Sequence, residues 1–189
     1  MTAPPRTHRL IVRRWRIDDV PDLHDAVIES IEHLRPWMPW VAKEPLTLDE
    51  RIALVEGWAP LWDAGDRMFG MFVDTTVVGG CGIHQRIGPG GQEIGYWVRT
   101  GWTGRGYATA AARDLVSMAF VMPGVTHVEI HHDVANTASG RVPAKLGFRH
   151  LGDVSRPVES PGETGRERHW RLDREEWLAR FPDARGHGE

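Results

Sequence analysis

Two spacings of hydrophobic residues divide the chain into predicted strands and helices. In the first half, short apolar runs bounded by turn residues predict strands at residues 8–15, 68–73, 77–85 and 92–99. Leu23, Ala26, Val27, Ile31 and Leu34 recur at helical spacing and predict one helix over residues 19–34. The pattern up to residue 99 therefore predicts a strand, a helical region and an antiparallel meander.

A second helix is predicted from its first turn. Thr47 followed by Glu50 has the spacing of a capping box, which places the start of a helix at this point. Pro60 lacks the backbone N–H that a helix interior needs, so we expect it to kink or end this helix before Gly65.

The second half of the chain begins with glycines and then alternates helices with strands. The pattern predicts a loop at 101–106, helices at 107–121 and 137–146, strands at 127–132, 148–154 and 167–172, and a last helix capped by Asp173. A helical crossover between the strands at 92–99 and 127–132 makes that pair parallel. We therefore predict a single domain at residues 8–181 of the α/β (α+β) class. Its central sheet is mixed and mostly antiparallel, with helices on both faces.

The overall composition excludes several classes of protein. Hydrophobic residues make up 41% and charged residues 26% of the chain, which is typical of a globular domain. The formal net charge of −3 argues against a nucleic-acid-binding protein, and no apolar run approaches the roughly 20 residues of a membrane span. Cys81 is the single cysteine, and residues 1–9 carry no apolar signal-peptide core. We therefore expect a cytoplasmic protein without membrane or nucleic-acid partners.

The glycine-bearing loop is the first candidate for ligand chemistry. Gly104 and Gly106 allow a tight turn, and the free N–H groups of the following helix start suit phosphate oxygens. The same glycines also fit a strand–helix turn with no ligand. A P-loop is excluded because no Gly-Lys-Ser/Thr follows. A dinucleotide fingerprint, and hence an oxidoreductase, fits less well because Thr109 replaces its third glycine.

Three motifs together resemble the GNAT N-acetyltransferase superfamily, in particular its RimJ/RimL-like branch of ribosomal-protein N-terminal acetyltransferases. They are EIGYWV at 93–98, GRGYAT at 104–109 and NTASGRVPAKLGF at 136–148. The first is similar to the branch's fourth strand, the second to its pyrophosphate loop, and the third to its late helix and turn. Gly101 departs from the glutamine or arginine common at that loop position, and Pro143 lies inside the late helix, where it forfeits one hydrogen bond and should kink the helix. The resemblance covers nearly the whole chain.

The resemblance implies acetyl-CoA as the cosubstrate. It implies a sheet splayed between the fourth and fifth strands, with the pantetheine arm in the gap and a Trp97 or Val98 N–H stabilising the thioester oxyanion. Core packing is an alternative role for Trp97, and N-capping of a helix for Asn136. The cofactor-binding residues implied by the resemblance are Trp97, Val98, Arg99, Gly104, Arg105, Gly106, Tyr107, Ala108, Thr109 and Asn136.

The resemblance also assigns the proton-transfer residues. Glu93 matches a strand-borne catalytic glutamate and is the expected base that deprotonates the amine. A solvated or ion-paired role is the alternative for Glu93, and His84 and His131 are further candidates for the base. Ser139 is the expected acid that protonates the leaving thiolate, unless it only helps to cap its helix.

The acceptor side is less well defined by the sequence. The resemblance places it at residues 35–41 and 156–166, where Trp37 and Trp40 are candidate substrate-binding residues. The acceptor is a primary amine, either a protein N-terminus or a small molecule. We predict no metal site, because the neighbouring His131 and His132 of one strand point to opposite faces. The alternative function is a non-catalytic acyl-CoA-binding regulatory module. Homodimers are common among the resembled proteins. The sequence itself carries no signal for an oligomeric state.

Overall fold

The computed structural model describes residues 9–182, so His8 of the predicted first strand lies outside the described residues. It contains one seven-stranded sheet with the order β1-β2-β3-β4-β5-β7-β6. The strands are β1 (Leu10–Arg14), β2 (Arg67–Val73), β3 (Thr76–His84), β4 (Gly91–Val98), β5 (His127–Asp133), β6 (Arg149–Ser155) and β7 (Arg166–Asp173). The predicted mixed, mostly antiparallel sheet is confirmed, since only β4 and β5 pair in parallel.

The β4–β5 pair is short and opens into a cleft. The two strands are in register only from Gly91 opposite His127 to Glu93 opposite Glu129. Beyond this point β4 continues to Val98 alongside β3, and β5 continues to Asp133 alongside β7. The sheet therefore splits between its fourth and fifth strands, as the resemblance implies. We call this gap the cleft.

Helices cover both faces of the sheet. They are α1 (Val20–Ile28), α2 (Ile31–Leu34), α3 (Leu48–Glu56), α4 (Trp58–Asp63), α5 (Tyr107–Val121), α6 (Thr137–Leu146) and α7 (Arg174–Arg180). On one face, Leu115 of α5 and Val142 of α6 join the main core with Ile130 of β5. On the other face, Leu23 of α1 and Val55 of α3 belong to a second core. None of the helices within residues 9–182 is long and apolar enough to cross a bilayer.

The prediction of one helix over residues 19–34 is wrong. The helix breaks between α1 and α2 at Ser30, whose hydroxyl donates to the Ala26 carbonyl at 2.7 Å. The same oxygen accepts a hydrogen bond from the Thr100 backbone N–H at 3.1 Å. Serine competes with the helical backbone for hydrogen bonds, and here it links the break to the chain that follows β4.

The second predicted helix begins where its capping box places it but ends earlier. Thr47 Oγ1 accepts from Glu50 N, and the Glu50 carboxylate accepts from Thr47 N at 2.7 Å. The helix ends at Glu56, and its C-cap, Gly57, lies three residues before the proline expected to break it. Pro60 instead lies in the first turn of α4, where the missing N–H costs no intrahelical hydrogen bond.

Candidate active site

The loop between β4 and α5 presents backbone N–H groups to open space. Gly104 and Gly106 have φ angles of +73° and +85°, a left-handed conformation that glycine adopts without strain. A Cβ built on either glycine would meet nothing within 4 Å. No side chain caps the start of α5. The first hydrogen bond of this helix runs from Ala110 N to Gly106 O, so the backbone N–H groups before Ala110 have no partner within the helix. The loop therefore offers an unobstructed anion site.

Side chains fix the loop at both of its ends. Arg105 donates to the Gly101 carbonyl at 3.1 Å, and its guanidinium lies 4.8 Å from the Trp102 ring centroid. Arg99 donates to Glu29 from Nε at 2.7 Å and to the Val77 carbonyl at 3.2 Å. The Arg99 guanidinium is therefore held on α1 and β3, so contact with a cofactor would fall to other atoms of this residue.

Backbone geometry distinguishes Trp97 from Val98. Residues of an antiparallel pair point their N–H and C=O groups alternately toward and away from the partner strand. Arg99 N donates to the Val78 carbonyl at 2.9 Å, so the backbone groups of Trp97, two residues earlier, also point to β3. Those of Tyr96 and Val98 point into the cleft. Of the two expected oxyanion donors, the geometry therefore favours the Val98 N–H.

The Trp97 ring packs on the sheet instead. A Cβ on Gly80 would lie 2.6 Å from Trp97 Nε1, so this glycine provides the space for the ring. The ring also lies 6.1 Å from that of Trp40. Packing is thus an observed role of the Trp97 side chain.

A cavity of about 700 Å³ continues from the cleft across the face of the sheet that carries α1 and α3. It brings together the expected base and acid, the two candidate acceptor-binding tryptophans and two residues predicted to bind the cofactor. They are Trp37, Trp40, Glu93, Trp97, Asn136 and Ser139. Val98, Arg99 and the loop residues at 104–109, which the resemblance assigns to cofactor binding, do not line this cavity.

Ser139 lies at the start of α6 and contacts a residue that sequence reasoning missed. Asn136 Oδ1 accepts from Ser139 N at 3.1 Å, which confirms its capping role. The Tyr96 hydroxyl lies 3.2 Å from the Ser139 carbonyl oxygen and 3.3 Å from Ser139 Oγ. Burial raises the pKa of the Tyr96 phenol, and the hydrogen bond to Ser139 opposes this only in part. Tyr96 is therefore a neutral hydroxyl at physiological pH.

Glu93 lies where β4 and β5 begin to diverge. Its carboxylate is 3.2 Å from Arg86 Nε and 3.6 Å from His131 Nδ1. Glu129 lies two residues before His131 on β5, and alternate residues of a strand share a face. Glu129 is therefore a second carboxylate on the face that carries Glu93 and His131. The pairing of Glu93 with Arg86 fits the ion-paired alternative, while its position in the cavity fits the predicted base.

His84, a further candidate for the base, has a carboxylate partner of its own. His84 Nδ1 lies 3.3 Å from Asp66 Oδ1, and burial lowers the pKa of His84.

His132 lies on the opposite face of β5 from His131, as predicted from strand alternation. Its Nδ1 donates to the Asp133 carbonyl at 2.7 Å, and its Nε2 accepts from Trp170 Nε1 at 3.0 Å. His132 is therefore a fully hydrogen-bonded neutral side chain beneath α6.

Glu129, His131 and His169 bring potential metal ligands within 4.8 Å of one another. The two imidazole rings are stacked with centroids 3.7 Å apart and an interplanar angle of 12°. The lone pairs of two parallel rings lie in separate planes, so they do not converge on one ion at about 2.1 Å. This arrangement suits hydrogen bonding rather than metal coordination.

The two predicted acceptor segments meet at the rim of the cavity. Gly162 N donates to the Pro36 carbonyl at 3.0 Å, which joins the loop after β6 to the segment containing Trp37. The Glu163 carboxylate accepts from the backbone N–H groups of Glu159 and Ser160. Glu163 thus maintains the shape of this loop, and the loop closes the cavity over the sheet.

The comparison with known proteins agrees with this architecture. The sequence profile of the acetyltransferase (GNAT) domain family matches residues 9–149. The chain belongs to the GNAT acetyltransferase family. The GNAT chain is accordingly an acetyl-CoA-dependent N-acetyltransferase, and the predicted likeness to the RimJ/RimL branch is confirmed.

Three relatives illustrate the likeness. The chain is 27% identical over 146 residues to a putative ribosomal N-acetyltransferase, YdaF, of Bacillus subtilis (strain 168), covering 76% of this chain and 79% of that protein. Its fold matches RimJ of Mycobacterium smegmatis in complex with a CoA-disulfide, with 25% identity, a TM-score of 0.76 and coverage of 88% and 83%. It also matches RimL, a ribosomal L7/L12 α-N-protein acetyltransferase in complex with coenzyme A, with 20% identity, a TM-score of 0.80 and coverage of 92% and 98%. The last match bears on the fold alone.

Proposed function

We propose that this GNAT protein acetylates the α-amine of a protein N-terminus by direct attack of the amine on acetyl-CoA in a ternary complex. The observation that carries the proposal is the cleft, which opens beyond Glu93, the residue that also lines the cavity of about 700 Å³. The name of the Bacillus subtilis relative, putative ribosomal N-acetyltransferase, supports a ribosomal protein as the acceptor. A ribosomal-protein acceptor also supports a cytoplasmic location for this protein.

The residues of the cofactor end fit the chemistry of coenzyme A. Acetyl-CoA supplies an acetyl group activated as a thioester. The backbone N–H groups at residues 104–109 and the Arg105 guanidinium suit its diphosphate. The cleft-facing N–H and C=O groups of Tyr96 and Val98 suit the amides of its pantetheine arm, since they have no partner strand there. The Asn136 side-chain amide retains donors beyond its bond to Ser139 N and can bind the same arm.

The amine end supplies the proton transfers. A protein α-amine has a pKa of about 7.7–8.0, so much of it is protonated at neutral pH and must lose a proton before it attacks. Glu93 accepts that proton, and Trp37 and Trp40 contact the residues that carry the amine. The Val98 N–H stabilises the negative charge on the acyl oxygen. The Ser139 hydroxyl donates a proton to the departing sulfur.

A peptide panel tests the acceptor class. The purified protein is incubated with acetyl-CoA and peptides with free N-termini, with their N-terminally blocked counterparts, and with polyamines and aminoglycosides. Thiol release and mass spectrometry report transfer. We expect acetylation of free N-termini and none of blocked peptides. Transfer to small amines alone would contradict the N-terminal acceptor, and cofactor binding without any transfer would favour the non-catalytic module.

The Glu93→Gln substitution tests the base. We expect kcat/KM to fall about 100-fold at pH 7, because glutamine cannot accept the amine proton. The loss should shrink above pH 9, where the amine is already neutral. Glu175→Gln, an exposed change on α7, is the matched control and should leave the profile unchanged. An unaltered pH–rate profile for Glu93→Gln would remove Glu93 from this role.

A further inference from the structure

Two carboxylate–imidazole pairs stack against each other where β5 and β7 face the cavity. His131 and His169 are opposite each other in the strand register, and their rings lie 3.7 Å apart. Each Nε2 is hydrogen-bonded to a glutamate two residues earlier on its own strand. These bonds join His131 to Glu129 at 2.7 Å and His169 to Glu167 at 2.9 Å. The stacked ring of His169 therefore restricts the His131 ring to one orientation.

The bond to Glu129 fixes which nitrogen of His131 carries the hydrogen. An ionised carboxylate only accepts hydrogen bonds, so His131 Nε2 carries the hydrogen and Nδ1 is bare in the neutral ring. Burial opposes ionisation of Glu129, but the hydrogen bond from His131 and the nearby positive charges outweigh it and lower the pKa of Glu129. The bare Nδ1 lies 3.6 Å from Glu93 Oε2, and a shortening of about 0.5 Å on substrate binding brings the two atoms within hydrogen-bond distance.

We propose that the Glu129–His131 pair is a proton relay that receives the amine proton from Glu93. This inference rests on the proposed function. The N–H bond of the ammonium breaks as an O–H bond forms on Glu93. That O–H bond then breaks as an N–H bond forms on His131 Nδ1, which leaves an imidazolium whose Nε2–H stays bonded to Glu129. The proton passes to water when the product leaves. The second proton lost by nitrogen replaces the proton that the Ser139 hydroxyl donates to the departing sulfur.

Carboxylates face His131 from three strands. Glu93 faces it from β4, Glu129 from β5 and Glu167 from β7, where the Glu167 carboxylate lies 4.0 Å from His131 Nδ1. Arg86 pairs with Glu93, and Arg156 pairs with Glu167, so both carboxylates are balanced while His131 is neutral.

The remaining groups on this face are engaged elsewhere. Asp133 accepts hydrogen bonds from Ala135 N and from Thr164. His127 and Arg171 lie 3.9 and 4.0 Å from Glu129 on the side away from the cavity and help to keep that carboxylate ionised.

A double-mutant cycle tests the relay. His131→Gln retains a donor for Glu129 but cannot accept a proton, Glu93→Gln removes the first acceptor, and the third variant combines both changes. We expect His131→Gln to lower kcat at pH 7 about tenfold, with less loss above pH 9 and unchanged CoA affinity. The double variant should be no slower than Glu93→Gln alone, because without the Glu93 carboxylate no proton reaches His131. Glu129→Gln offers a second route and should also lower kcat.

The matched control is His150→Gln. His150 forms the same kind of pair with Asp153, at 2.9 Å, on β6 outside the cavity, and its substitution should not change the pH–rate profile. Multiplicative losses in the double variant, or full activity of His131→Gln, would overturn the relay while leaving Glu93 as the base. Full activity of Glu93→Gln would remove both Glu93 as the base and the relay that depends on it, whereas absence of transfer to every amine by the unmodified protein would overturn the proposed function. Thermal unfolding of each variant separates these outcomes from loss of folded protein.

Discussion

The two ends of the cleft are built in different ways. The cofactor end is one continuous stretch of backbone, in which Gly104 and Gly106 turn the chain and the start of α5 presents its N–H groups. The amine end is assembled from side chains of separate strands and helices, with Glu93 on β4, His131 on β5 and Ser139 on α6. A backbone site depends on local conformation, whereas a side-chain site depends on the register of the whole sheet. Substitutions should therefore affect the two ends differently.

The largest expected effect is at the cofactor end. Gly106→Val places a side chain at a φ of +85° and fills the open space in front of the N–H groups. We expect the affinity for CoA to fall about 100-fold, because charged hydrogen bonds to the diphosphate are lost. Calorimetric titration with CoA measures the change.

Gly88→Val is the control for backbone strain. Gly88 has a φ of +93° and equally open surroundings, but it lies in the turn between β3 and β4. Both valines should cost about 1–2 kcal/mol of folding stability. Equal losses of CoA affinity in the two variants would show that the loop at 104–109 acts through stability and not through binding.

An intermediate effect is expected at Ser139. Ser139→Ala should lower kcat about tenfold with unchanged CoA affinity, because the departing sulfur loses its proton donor. Tyr96→Phe should lower kcat less, since the buried Tyr96 hydroxyl supports Ser139 by hydrogen bonding and is not the expected proton donor. Steady-state rates at saturating acetyl-CoA compare the two variants. A larger loss in Tyr96→Phe would transfer the role of the acid to tyrosine.

The smallest effect concerns His132, on the sealed face of β5. Burial lowers the pKa of His132 in the folded protein, so the unfolded chain binds more protons just below pH 6.5. Its contribution to stability is therefore present above this pH and lost as the pH falls below it. His132→Asn should flatten the fall in thermal stability between pH 7.5 and 5.5. An unchanged slope would assign the acid sensitivity to other groups, such as His84 and His127, whose pKa values burial also lowers.

Local signals in the sequence were sufficient for part of the fold. The predicted bounds of α5 and α6 agree with the structure because glycines, an N-cap and apolar spacing all lie within each segment. The break between α1 and α2 was not predicted. It depends on the bond between Ser30 and Thr100, which are 70 residues apart in the chain. A periodic pattern does not contain such a contact.

The candidate site also has a part that the sequence predicted and a part that depends on long-range contacts. The resemblance directed attention to Glu93 and Ser139, and both line the cavity. His169 was missed because its proximity to His131 requires the β5–β7 register, which no local pattern defines. Glu129, on the same strand as His131, was missed as well. Alternation along β5 could have placed Glu129 and His131 on one face, and this was the available signal.

Amide NMR spectra of the protein, recorded with and without CoA, test the central claim most directly. The account predicts that the largest shifts fall on the backbone N–H groups at residues 104–109 and on those of Tyr96 and Val98 along the cleft. Shifts confined to other parts of the chain, or none at saturating CoA, would contradict it.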